Sequence, residues 1–196
     1  LVPNDGIAFG ALVIFIGGVA TLVFASIGIL ASQSLKRAGG YFLLMSSGTL
    51  LAAFGMSQST VTAGALFYMV SSTLAVGAFF LVVELIEREQ DAASSVLAVT
   101  MEAYGDGEEE SEEDGAEVGR IMPGAVAILG IGFCLLAMVL IGLPPLSGFI
   151  AKFAILTALL GPDAAVPAAT NFMRGTLAVL LIASGLVSLV ALSRAG

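Results

Sequence analysis

Five long, continuous apolar stretches make up most of this chain of 196 residues, and no other feature restricts its fold so tightly. Each is at least about 17 residues long, enough for a helix to cross a hydrocarbon core of about 30 Å. The runs are unbroken rather than alternating, which excludes the dyad pattern of barrel strands. Inside lipid every backbone N–H and C=O must be satisfied within its own segment, so helices remain. Composition agrees: 58% of residues are hydrophobic and 11% charged, where soluble domains carry about 25% charged residues. The fold class is therefore an all-α integral membrane protein.

The expected spans are 7–31, 40–56, 60–86, 123–160 and 171–193, with a polar loop over 87–120. The fourth span is long because it is broken at Pro144-Pro145. Two adjacent prolines remove two backbone donors and free the carbonyls they would have bonded, those of Leu140 and Ile141. A freed carbonyl is tolerated at membrane depth only where it is buried in protein or lines a cavity. Gly142 and Gly148 flank the prolines and give the backbone the freedom a break needs.

Lys152 follows the break by seven residues and is the lone charge in that apolar run. A lysine in hydrocarbon costs roughly 2.5–3.5 kcal/mol on insertion scales, so it should face protein or water. It lies roughly 10 Å along the second half-helix from the break, and eight residues, Phe153 to Leu160, follow it before Gly161. That depth argues against a lysine snorkelling to the surface. Withdrawal from water disfavours the charged form of an amine, which makes such a charge switchable. A charge beside a helix break is the usual equipment of an ion pathway.

Other polar residues are weaker signals. The third span carries Tyr68, Ser71, Ser72 and Thr73. Hydroxyls and small residues commonly pack helices together in membranes, and the alternative is that they hold water on a proton path. Glu84 lies four residues before Arg88, the spacing of a helical ion pair, though it could also serve as an entry or exit site. Lys36-Arg37 fits an interfacial anchor. Cys134, the single cysteine, excludes an internal disulfide and is expected to be a plain buried thiol. With no histidine in the chain, neither a metal site nor a cofactor is expected.

Lysine and arginine placement sets orientation. If the spans alternate, Lys36, Arg37, Arg88, Arg120 and Arg194 share one side and Arg174 lies on the other. The positive-inside rule then puts the former in the cytoplasm, with the loop over 87–120. Nine acids fall between Glu102 and Glu117 and supply most of the net charge of −8. They read as a solvated linker, or as a docking surface for a basic partner. The run lacks the ligand spacing of a calcium loop, and so acidic a surface argues against nucleic acid. The chain starts at Leu1 without methionine and is expected to be part of a longer polypeptide. No basic n-region precedes the first span, so a signal peptide is not expected.

Three strings carry a resemblance: Leu35-Lys36-Arg37 with Tyr41 opening a helix, Tyr68 with Ser72-Thr73-Leu74, and Gly142-Leu143-Pro144-Pro145-Leu146-Ser147-Gly148-Phe149 with Lys152. The succession resembles the antiporter-like family shared by respiratory complex I and the multisubunit Mrp (Mnh, Pha) cation/proton antiporters, with wording nearest to the D-type subunit. It covers essentially the whole chain, the acidic loop least. The resemblance implies about fourteen helices holding two inverted five-helix repeats, of which this chain would be the second. It implies that Lys152 takes and releases a proton and that Lys36 continues the polar axis. It also implies a bacterial inner (plasma) membrane location, partner subunits in a hetero-oligomer, and exchange of H+ for Na+ or K+ without covalent catalysis. Many relatives have a histidine where Ser71 stands, and some a lysine where Val76 stands. A proton path here would then need water held by Tyr68, Ser71 and Ser72. Two other readings stay open: a proton-pumping subunit of a redox complex such as complex I or a membrane hydrogenase, and a non-conducting structural subunit.

Overall fold

The computed structural model describes residues 9–104, 124–161 and 168–195. Among these residues all regular structure is helical: α1 (Phe9–Ala31), α2 (Leu35–Gly55), α3 (Ser59–Tyr104), α4 (Gly124–Ile141), α5 (Ser147–Leu160) and α6 (Ala168–Ala195). Four helices are long and apolar enough to cross a membrane: α1, α2, the Ser59–Arg88 part of α3, and the Thr170–Arg194 part of α6. The apolar parts of α4 and α5 are shorter, and the two helices are separated by the Pro144-Pro145 break.

Two boundaries differ from the sequence reading. α2 starts at Leu35 rather than residue 40, because Ser34 adopts the extended conformation of an N-cap and its side chain accepts from the Arg37 N–H. Lys36 and Arg37 therefore lie in the first turn of a helix and not in the connecting turn. α3 does not stop near residue 86 but continues to Tyr104. No glycine or proline occurs between Gly77 and Gly105, so the change from apolar to polar side chains alters the helix's surroundings without ending it. The acidic run beyond Tyr104 lies outside the described residues.

α1 packs along α2, α2 along α3, and α3 against both α4 and α5, while α6 touches α1, α2, α4 and α5. The α1–α2 contact is close because Gly18 and Gly48 bring the two backbones together. A Cβ on Gly48 would lie 2.7 Å from the Leu22 nitrogen. The buried apolar side chains form two clusters. One holds Ala52, Met56, Val61, Ala65, Ile155, Leu159, Met173 and Leu177. The other holds Ala38, Phe42, Phe79, Val83, Ala137, Leu140 and Leu192. Between them in chain position, on α2, α3 and α6, fall the buried hydroxyls Ser46, Thr49, Ser72, Ser184 and Ser188, together with the α4–α5 break. A polar layer thus separates two apolar halves.

Candidate ion-translocation site

The end of α4 is built by glycine and proline chemistry. Gly142 has φ +85°, and the Gly142 and Leu143 N–H groups both donate to the Met138 carbonyl at 3.0 Å. That is a left-handed helix stop, which glycine adopts without a steric cost. The Pro144-Pro145 peptide is cis, and α5 restarts at Ser147. Gly148 lies where a Cβ would collide with the Val139 carbonyl, so the absent side chain lets α5 lie against the end of α4.

Lys152 projects from α5 back to this stop. Its ammonium donates to the Ile141 carbonyl at 2.8 Å and to the Leu140 carbonyl at 3.2 Å. These are the two carbonyls left without a helical donor by the prolines. They also lie at the negative end of the α4 dipole, which favours a cation. The break and the charge are therefore one unit: the break supplies acceptors and the lysine supplies the donor.

On the α3 side of the break a small cavity of about 20 Å³ is lined by Phe42, Met45, Ser46, Tyr68, Ser71, Ser72 and Leu140, among others. Roughly 10–15 Å³ suffices for one water, which then needs polar partners. Tyr68 and Ser72 are buried, and Tyr68 has Thr49 as a polar neighbour. Ser46 donates to the Leu43 carbonyl and Ser72 to the Met69 carbonyl, leaving their oxygens open as acceptors. Ser71 donates to the Ser147 hydroxyl at 3.1 Å, which ties α3 to the first residue of α5. The structure thus brings Tyr68, Ser71 and Ser72 to the break near the carbonyl that holds Lys152.

Lys36 and Glu84 stand apart from this group. Lys36 is paired with Glu87 and lies 3.5 Å from Glu84, while Arg88 bonds Glu84 at 3.1 Å. The side chains of Lys36 and Glu84 are 54% and 46% exposed. They form a charged rim where α2 begins, and no described bond links that rim to Lys152.

The sequence marks four further contributors only weakly. Ser147 and Thr49 look like ordinary helix hydroxyls, and Ser46 like packing. Arg174 serves there only to set orientation, yet it is 6% exposed and donates to the Gln58 amide oxygen at 3.0 Å. An arginine four residues inside an apolar span, opposite a glutamine in a turn, is the available signal. Cys134 corrects the expectation of a buried thiol, for it is exposed on the face of α4 that also carries Ile131, Leu135 and Met138. α4 is apolar all round, so its sequence does not mark which face packs inward.

A family model described as NADH:quinone oxidoreductase/Mrp antiporter, TM matches residues 7–180. The chain is also 53% identical over 189 residues to a protein of Rhizobium meliloti (strain 1021) whose name makes it a probable D-type subunit of a K(+)/H(+) antiporter. That alignment covers 96% of this chain and 35% of the relative, so the chain spans about a third of the relative's length.

Proposed function

Because the chain belongs to the NADH:quinone oxidoreductase/Mrp antiporter transmembrane family, we propose that it is the ion-handling part of a membrane subunit in a multisubunit monovalent cation/proton antiporter. Lys152 takes and releases the proton. The observation that carries this reading is the ammonium of Lys152 seated on the Leu140 and Ile141 carbonyls at the break. Held there the charge is solvated by protein dipoles, and a neutral amine loses most of that attraction. Proton uptake and loss thereby become electrostatic events at the centre of the bundle.

The hydroxyl-lined cavity adjoins Lys152 only through Leu140, whose carbonyl accepts from the lysine, and there it supports a proton rather than an alkali cation. About 20 Å³ accommodates a water but not a hydrated Na+ or K+. The route runs between Lys152 and a water held by Ser46, Tyr68 and Ser72, then to the Ser71–Ser147 pair. The exchanged cation, Na+ or K+, moves elsewhere in the assembly and is coupled through the charge on Lys152. The relative's name favours a cation gradient over a redox reaction as the driving partner. The setting is a bacterial plasma membrane, with the Lys36 rim on the cytoplasmic side by the positive-inside rule.

The test is made on the complete complex in sealed vesicles, following the pH change that a Na+ or K+ pulse drives. Lys152→Ala should abolish that response while assembly, checked by size exclusion, persists. Full exchange in the variant would overturn the reading.

A further inference from the structure

The water-sized cavity and the charged rim are separated by an apolar seal. Ser72 on the cavity and Glu84 on the rim both belong to α3, and lie about 18 Å apart along its axis. Between these levels Ala38 and Phe42 of α2 and Val76, Phe79 and Val83 of α3 belong to one buried cluster. Protons move along hydrogen-bonded groups or water, and an apolar constriction interrupts both. Among the described residues the rim is the end suited to proton exchange, since it carries the carboxylates of Glu84 and Glu87. The opposite end is built from Arg174 and Gln58, a guanidinium that keeps its proton and an amide.

Two rings stand at the cavity's edge of the seal. Phe42 lines the cavity and meets Phe79 edge-on, with ring centroids 5.9 Å apart and planes at 68°. Phe79 lies in turn 5.7 Å from the Phe133 ring of α4. Phe79 is 0% and Phe42 3% exposed, so both rings are enclosed by this chain itself. Edge-to-face contacts are favourable but individually weak, and rings held by them can part without the helices separating.

We propose that Phe42 and Phe79, flanked by Val76 and Val83, form a hydrophobic gate between the hydroxyl-lined cavity and the Lys36 rim. With the rings in contact the cavity is cut off from the rim; when they part, water enters and a proton passes. A permanently wet connection would let protons leak without a cation moving, and the gate prevents that. The proposal rests on the proton route through the cavity and adds the point where that route meets bulk water.

Water exchange is the direct test. The complete complex in lipid nanodiscs is mixed into oxygen-18 water and irradiated with a brief X-ray pulse after increasing delays. Hydroxyl radicals formed from the cavity water label Tyr68, and mass spectrometry of its peptide reads how fast that water is replaced from bulk. Phe79→Ser should speed the replacement about tenfold, because a polar gap fills with water, while Phe79→Leu should leave it nearly unchanged, because apolar gaps stay dry. Val76→Thr with Val83→Thr keeps the shape of the seal and adds hydroxyls to it, and should also speed replacement if Phe79→Ser does not assemble. Equal rates in the unmodified, serine and threonine complexes would overturn the gate and leave the role of Lys152 standing, as would a leucine variant as fast as the serine one. No label on Tyr68 in any complex would overturn the gate together with the water route.

Discussion

Lys152 shows how far a single residue can be read without a structure. Proline geometry names the two freed carbonyls, Leu140 and Ile141, because the missing donors are a local property of the chain. That the lysine itself fills them depends on α5 turning back against α4, and no spacing rule carries that. Hydroxyls are harder. Ser71 and Ser72 are adjacent in sequence, yet Ser71 reaches across to Ser147 while Ser72 bonds the Met69 carbonyl of its own helix. Both line the same water-sized cavity. Ser72→Val separates packing from conduction, since it replaces a hydroxyl with methyls and fills the cavity. Membrane hydroxyl bonds average about 0.6 kcal/mol, so the melting temperature of the complex should move little. Exchange should fall about tenfold, equivalent to about 1.4 kcal/mol of barrier. Vesicle exchange at the unmodified rate would remove the water from the route. Lys36 belongs to the exposed rim, where salt screens ion pairs. Lys36→Ala should therefore change stability slightly, and less at high salt than at low salt, in thermal melts of the complex. Loss of exchange with an unchanged melt would instead give Lys36 a part in transport.

Among the elements, the break is legible and the lengths of its neighbours are not. Prolines announce a stop wherever they occur, whereas α3 continues past residue 86 because helix propensity does not register the change from lipid to water. α4 hides its orientation for a related reason: with apolar residues on all sides it has no marked face, and nothing in its sequence shows that Cys134 lies on the exposed one. The break also gives two graded predictions. Gly142→Ala places a Cβ at φ +85°, a strain of about 1–3 kcal/mol. Gly148→Ala should be the more damaging, because its Cβ collides with a backbone carbonyl of α4 and α5 would have to move away. Thermal unfolding of the purified complex should rank unmodified protein first, Gly142→Ala second and Gly148→Ala last. Pro144→Ala with Pro145→Ala acts differently. It restores N–H donors that compete for the Leu140 and Ile141 carbonyls, so exchange should fall even where the melt does not.

At the scale of the whole molecule, the bundle is two apolar clusters with a polar layer between them, and its two ends are tied by different chemistry. The Lys36 rim closes one end with exposed ion pairs. The opposite end is closed by Arg174 on α6 and Gln58 in the α2–α3 turn, with Ser57 in that turn at φ 52°. Sequence periodicity identifies helices but not which ends meet, and this pair joins residues 116 positions apart. A buried charged group needs polar neighbours to offset its lost hydration, and a hydrogen bond to a charged group is worth about 1.5–3 kcal/mol. The cost of losing it should appear where α6 meets the rest of the bundle, since Met173 and Leu177 on either side of Arg174 belong to the cluster shared with α2, α3 and α5. Gln58→Leu keeps the approximate volume and removes the acceptor. The expected result is a loss of about 1.5–3 kcal/mol in stability, with faster proteolysis or hydrogen exchange at the start of α6 and little change at the Lys36 rim. Gln58→Glu, which restores an acceptor, should recover most of that protection. Equal loosening at both ends would mean that the polar layer does not divide the bundle into separately held halves.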